Sequence, residues 1–401
     1  MRTSLCLQMA LRASATMLVS PDWMGESFEQ LRDKSLLQVT LPGSHNSGNY
    51  EGGLRADVLC ESDYRYNEYL AASSPLLAKG VAVLSQTEFD RRMIPWNINH
   101  FHTIKEQLLL DGVRYLHLKI CNFDKTGKSV LDLASITFQH RGYTTRETVK
   151  STLQDVLHFL HAHPREIVIL AFNNLHNNAS KTFSSSDVEA LSAALEMMAG
   201  DHMMNKEDFF GKTLGELVGA GRRLAVFVKG VRSHSRTIPS ENLVENWDPA
   251  MANGNLTAAK AWLVKDLAKA TKFYVMQANP NNAERLMYEA MNSGRGAQSN
   301  LQFLANFLSE LHGLVVEMVR QEPAAHINVI DTDFLSISRP YQTSVQLMGI
   351  APVFSEAMST STVLSVGLLP VCLAAASAVL VMWTAWSWWS RRSNGYQRHV
   401  Q

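Results

Sequence analysis

Between residues 30 and 340 short apolar runs of β type alternate with stretches whose apolar positions recur at helical spacing. Leu36–Leu41 reads as a first strand. It is followed by an irregular segment, a helical stretch Thr103–Leu110 and a second strand, Val113–Ile120. A strand at Ser135–His140 precedes a helix in which Val149, Leu153, Val156, Leu157 and Leu160 form one stripe. Thr144 with Glu147 three residues on has the form of its capping box, and Pro164 supplies the stop. Strands at Glu166–Phe172, Arg223–Val228, Lys272–Gln277 and Ile327–Asp331 continue the series. Alternation of this kind predicts an α/β fold with a parallel sheet covered by helices. Roughly 310 residues of it without a break favour one TIM-like (β/α)8 barrel over two doubly wound domains, with a barrel domain at 30–345. Residues 51–100 read as an insertion near the first strand, a lid or substrate loop.

Residues 363–389 break this pattern: they form an uncharged apolar run of 27 residues, about 40 Å long as a helix. Trp383, Trp386, Trp388 and Trp389 close it in the manner of an interfacial belt, and Arg391 and Arg392 follow. The expectation is a C-terminal transmembrane helix after a linker at 346–362, with a basic tail at 390–401. The positive-inside rule then sets the barrel on the lumenal or extracellular side, with residues 1–29 as a weak signal sequence. A tail-anchored protein with a cytosolic barrel is the alternative. Sequons at Asn178 and Asn255 fit the first arrangement.

Charge narrows the classes. Thirty-seven Lys and Arg residues balance 37 Asp and Glu residues, so there is no basic surplus for nucleic acid. A hydrophobic fraction of 46% excludes a disordered chain. The four cysteines, Cys6, Cys60, Cys121 and Cys372, include no CxxC pair, which excludes a disulfide framework or a cysteine-rich zinc site. A Cys60–Cys121 bridge and two free thiols both remain open.

In a parallel barrel the reactive groups belong at the C-terminal ends of the strands. After the first strand comes Pro42-Gly43-Ser44-His45-Asn46-Ser47-Gly48; the second ends His117-Leu118-Lys119, the third Gln139-His140-Arg141, and the fourth Phe172-Asn173-Asn174. Imidazoles there serve as acid or base near neutrality, and a lysine offsets phosphate charge. The pairs His100 with His102 and His161 with His163 have the look of metal ligands, but residues two apart do not share a helical face.

LPGSHNSG at 41–48, IKEQLLLDGVRYLHLKI at 104–120, FQHRGY at 138–143 and IVILAFNN at 167–174 resemble the X-box of phosphatidylinositol-specific phospholipase C, in its compact X-domain-only and bacterial forms. The resemblance is strong over 36–175 and weaker on to INVIDTDF at 327–334. It implies a distorted or incomplete barrel and a phosphodiester cleavage in which His45 acts as general base, His140 as general acid and Asp333 orients His45, with Asp331 close enough to compete for that role. It further implies an inositol phospholipid or glycosyl-phosphatidylinositol-type lipid as substrate. Relatives neutralise the phosphate either with calcium, held by acidic residues and an asparagine, or with an arginine and no metal. Asn46 suits the calcium type, but His117, Lys119 and Asn173 stand where acidic ligands belong. Calcium prefers oxygen cages, so the expectation is no cofactor, with Lys119 in the arginine's place and Asn46, His117 and Asn173 lining the substrate. The alternative is a degenerate X-domain that binds inositol headgroups or a protein partner without turnover.

Overall fold

The computed structural model describes residues 18–60, 85–124, 130–140, 142–177, 182–232, 236–245, 256–267, 272–279, 300–322 and 325–355. The chain divides into two units, 1–353 and 354–401, and of the second only Phe354 and Ser355 are described.

Eleven strands are present among the described residues: β1 (Leu41–Ser44), β2 (Leu54–Leu59), β3 (Tyr115–Asn122), β4 (Ile136–His140), β5 (Tyr143–Thr148), β6 (Val168–Asn177), β7 (Leu224–Val228), β8 (Ile238–Pro239), β9 (Leu243–Glu245), β10 (Phe273–Gln277) and β11 (Val329–Thr332). Eight run parallel in the order β8-β7-β6-β3-β1-β11-β10-β9. Among the described residues β8 and β9 do not pair, so the TIM-like ring is open at one seam, where only the 3-10 turn Ser240–Asn242 separates the two strands. Beyond its parallel pairing, β3 runs on to meet β4 antiparallel at Ile120↔Phe138, and β5 and β2 extend that arm.

Period-two burial sorts the strands into layers. Leu116, Leu118 and Ile120 of β3 join Leu170, Phe172, Val226 and Val228 under Leu153, Val156 and Leu160 of helix Val149–Ala162. A second outer layer packs Tyr274, Met276 and Ile330 against Leu263 and Leu308. Each fully buried side chain of this size contributes about 1.5–3 kcal/mol. Tyr115, His117 and Lys119 alternate with the outer set of β3 and so face the barrel interior.

The other end of the barrel carries a fully buried ion pair. Arg114 Nε lies 2.6 Å from Glu166 Oε2, and both side chains are wholly inaccessible. The remaining guanidinium donors meet the carbonyls of Leu108, Val113 and Pro21, while Glu166 Oε1 accepts from Gly25 N at 2.8 Å. The guanidinium also packs against Trp23 and Phe159. Cys60 and Cys121 form a disulfide that ties the end of β2 to β3, which decides between the two readings left open.

Several expectations shift. Leu36–Gln38 is a 3-10 turn and the first strand begins at Leu41, because the Ser35 and Gln38 capping box winds that stretch. Thr144 and Glu147 lie in β5, and Thr148 with Ser151 caps the helix instead. The expected single-pass membrane protein is corrected: no helix among the described residues is long and apolar enough to cross a membrane. The longest, Asn300–Gln321, has the length but is amphipathic, with Leu304, Leu308, Leu311 and Val315 buried and Glu310, Glu317 and Arg320 exposed. The run 363–389, the N-terminal segment 1–17 and both sequon asparagines lie outside the described residues.

Candidate active site

The turn after β1 is set by glycine and asparagine. A Cβ on Gly43 would sit 2.6 Å from Val329 Cγ1, so only glycine lets β1 lie this close to β11. A Cβ on Gly48 would lie 2.4 Å from the Cβ of Phe138. Asn46 adopts φ 49°, a left-handed conformation that asparagine tolerates better than most residues. The turn is further held by His45 N donating to Thr332 O at 3.0 Å and Ser47 N to His117 O at 2.9 Å.

This backbone brings both predicted histidines together. His45 Nδ1 lies 2.9 Å from Asp333 Oδ1, which leaves Nε2 as the ring nitrogen away from that carboxylate. His140 Nδ1 donates to Asn97 O at 3.3 Å. The Asn46 amide nitrogen stands between the rings, 3.4 Å from His45 Nδ1 and 3.5 Å from His140 Nε2. Of the two neighbouring aspartates, Asp333 is the partner of His45, while Asp331 Oδ2 faces His117 Nδ1 at 3.6 Å.

Beside this pair lies a denser group. The His117 ring is 5.2 Å from that of His45. Burial pushes the His117 imidazole well below its ordinary pKa, with His45 and Lys119 adding to the effect, so it is neutral near pH 7. Burial raises Asp331 well above the carboxylate range, and Glu245 and Asp333 raise it further. Glu245 is raised by the same cause while accepting from Gln277, Tyr115 and Asn173. Lys119 acts electrostatically on Glu245, Asp331 and His117 alike. Both carboxylate oxygens of Asp331, His117 Nδ1, Asn46 Oδ1 and Asn173 Oδ1 are buried without a hydrogen bond.

Ligand atoms of His117, Glu245 and Asp331 lie within 4.8 Å of one another, a spacing compatible with a metal ion. They do not suit calcium, which takes six to eight oxygens in a flexible cage. Here one donor is an imidazole nitrogen, both carboxylates are held by burial toward the protonated form, and the Lys119 charge falls on the same groups. No step is assigned to calcium. A cleft of about 700 Å³ adjoins Asn173 and is lined by Lys229 and Arg232 as well.

Sequence reading missed Glu245, which ends a three-residue strand with no apolar run to announce it. It also missed Asn97 and Asn99, assigned to an insertion because nothing in their spacing marks a site, and it weighed His100 only as half of a metal pair with His102.

The family model PI-PLC X matches residues 94–248, the span that contains His117, Lys119, His140, Asn173 and Glu245. The chain is a relative of the PI-PLC X domain proteins. It is 27% identical over 205 residues to the human PI-PLC X domain-containing protein 1, a match covering 51% of this chain and 55% of that protein. The mouse protein of the same name is 28% identical over 162 residues, covering 40% of this chain and 41% of its own length. The chain thus spans about half the length of the curated relatives it matches. Among solved structures, the phosphatidylinositol-specific phospholipase C of Listeria monocytogenes superposes with a TM-score of 0.52 at 13% identity, covering 81% of this chain and 99% of that one. This likeness establishes the PI-PLC-type barrel fold.

Proposed function

We propose that this PI-PLC X relative is a phosphoric diester hydrolase that cleaves an inositol phospholipid or a glycosyl-phosphatidylinositol-type lipid. The observation that carries the reading is the pairing of His45 with Asp333, with the His140 ring close by on the other side of the Asn46 amide nitrogen. In this mechanism His45 Nε2 takes the proton of the inositol 2-hydroxyl. The freed oxygen attacks the adjacent phosphorus, and the bond from phosphorus to the diacylglycerol oxygen breaks. His140 gives a proton to that departing oxygen. The products are diacylglycerol and inositol 1,2-cyclic phosphate. An internal hydroxyl held beside its phosphorus needs little beyond two proton transfers and charge stabilisation. Lys119 supplies the positive charge, and no cofactor enters. Asn46, His117 and Asn173 line the headgroup, which the adjoining cleft extends toward Lys229 and Arg232.

The test is incubation with phosphatidylinositol vesicles in chelator, with diacylglycerol and cyclic inositol phosphate as readouts. His45→Ala and His140→Ala should each lower kcat by about 10²-fold or more. A calcium requirement overturns the cofactor-free mechanism, and full activity in both variants overturns the assignment of the histidines. Headgroup binding without product from any inositol lipid would replace the enzyme with a non-catalytic headgroup-binding domain.

A further inference from the structure

We infer that Asn97–His100, the chain leaving helix Gln86–Asn97, is a strap that positions both histidines, with Asn99 as its principal positioning residue; the inference rests on the catalytic reading above. Four bonds define it. Asn97 O accepts from His140 Nδ1 at 3.3 Å. Asn99 Nδ2 donates at 2.9 Å to Asp333 Oδ1, the same oxygen that His45 Nδ1 meets. Asn99 O accepts from Phe334 N at 2.7 Å, which fixes the residue that follows Asp333. His100 Nε2 reaches the carbonyl of His45 itself at 2.7 Å.

The strap is a built part of the interior. Asn97, Asn99 and His100 are 0%, 2% and 1% exposed. Asn99 N and His100 N both donate to Asn49 O, so the strap is sewn to the turn that carries His45. Asn99 adds a second donor to the oxygen that His45 meets and so helps fix where Oδ1 sits against the His45 ring. The His100 ring nitrogen acts as donor to the His45 carbonyl, because its Nδ1 has no hydrogen bond and burial keeps the ring neutral, with its pKa pushed down to about 4. One four-residue segment thereby contacts the support of the base, the backbone of the base and the ring of the acid. Misplacement of a reacting group by about 1 Å costs up to roughly 10²-fold in rate.

The experiment uses the full chain carrying Asn99→Ala, with Asn99→Leu, closer in volume, as the second variant should the first not fold. Turnover of phosphatidylinositol should fall roughly 10- to 100-fold in kcat with KM within about twofold. In protein labelled with ¹⁵N-histidine, the proton on His45 Nδ1 should exchange with solvent faster than in the unaltered chain, because its acceptor Asp333 has lost a supporting hydrogen bond. An unchanged kcat together with an unchanged His45 signal in a folded variant overturns the strap. A changed His45 signal in a chain that turns over no inositol lipid keeps the strap and overturns the proposed reaction.

Discussion

The barrel buries ionisable groups at both ends and treats them in opposite ways. At one end Arg114 and Glu166 are wholly inaccessible, yet their polar atoms are met by each other, by three carbonyls and by Gly25 N. At the other end Asp331 is just as buried, and neither of its oxygens has a hydrogen bond. The first is a completed assembly, in which Trp23 and Phe159 flank the guanidinium and the chain from Pro21 to Gly25 closes the floor. The second holds two carboxylates of raised pKa, a neutral imidazole and a lysine charge in one place. Buried polar groups left unmet cost about 1–3 kcal/mol each, so folds keep them where something other than stability is selected. The contrast separates the floor, whose polar groups are met, from the mouth, whose unmet groups lie where the proposed reaction would take place.

The largest effect should come from breaking the floor. Glu166→Gln leaves Arg114 buried without its counter-charge and should lower unfolding free energy by about 3–5 kcal/mol, measured by denaturant titration. The double variant Arg114→Met with Glu166→Leu should recover most of that loss, since a buried pair replaced by apolar volume is often neutral. A single Glu166→Gln variant with unchanged stability would erase the distinction between the two ends.

A change at the mouth should act in the other direction. Asp331→Asn should raise stability by about 1–3 kcal/mol at pH 8. Burial holds a proton on folded Asp331 that the unfolded chain releases above the ordinary carboxylate range. The folded state therefore binds more protons there, and stability falls as pH rises from about 4 toward the raised folded value. His117 has the opposite sign: its lowered folded pKa makes stability rise with pH up to about 6.5 in both proteins. The difference in melting temperature between Asp331→Asn and the unaltered chain should thus be small at pH 4 and widen toward pH 8. An equal difference at both pH values would mean that Asp331 is ionised when buried. The smallest effect is expected at Arg91, whose pairing with Glu88 lies on an exposed helix face; Arg91→Ala should leave the melting temperature unchanged within error.

Sequence periodicity located most of the barrel because each central strand is an apolar run of a length only a buried strand explains. The expected strands Arg223–Val228 and Lys272–Gln277 lie within one residue of the observed Leu224–Val228 and Phe273–Gln277. It failed where polar side chains decide the backbone, as with Ser35 and Gln38 winding Leu36–Gln38 and Thr148 taking the cap from Thr144. The histidines were legible because Gly43 and Gly48 surround His45 in a compact motif, and the close approaches to Val329 and Phe138 give the physical reason. Glu245 and Asn99 were not legible: the partners of Glu245 lie 32, 72 and 130 residues away, at Gln277, Asn173 and Tyr115, and Asp333 lies 234 residues from Asn99, and no local pattern encodes pairings at those distances.

The Cys60–Cys121 bond makes the chain between those residues a covalent ring, with β3's His117 and Lys119 and the Asn97–His100 segment all inside it. A protease cut anywhere within that ring yields a nicked molecule whose two pieces stay joined. On a gel they would migrate as one band until a reductant is added, and only then would the piece bearing His45 part from the piece bearing His140.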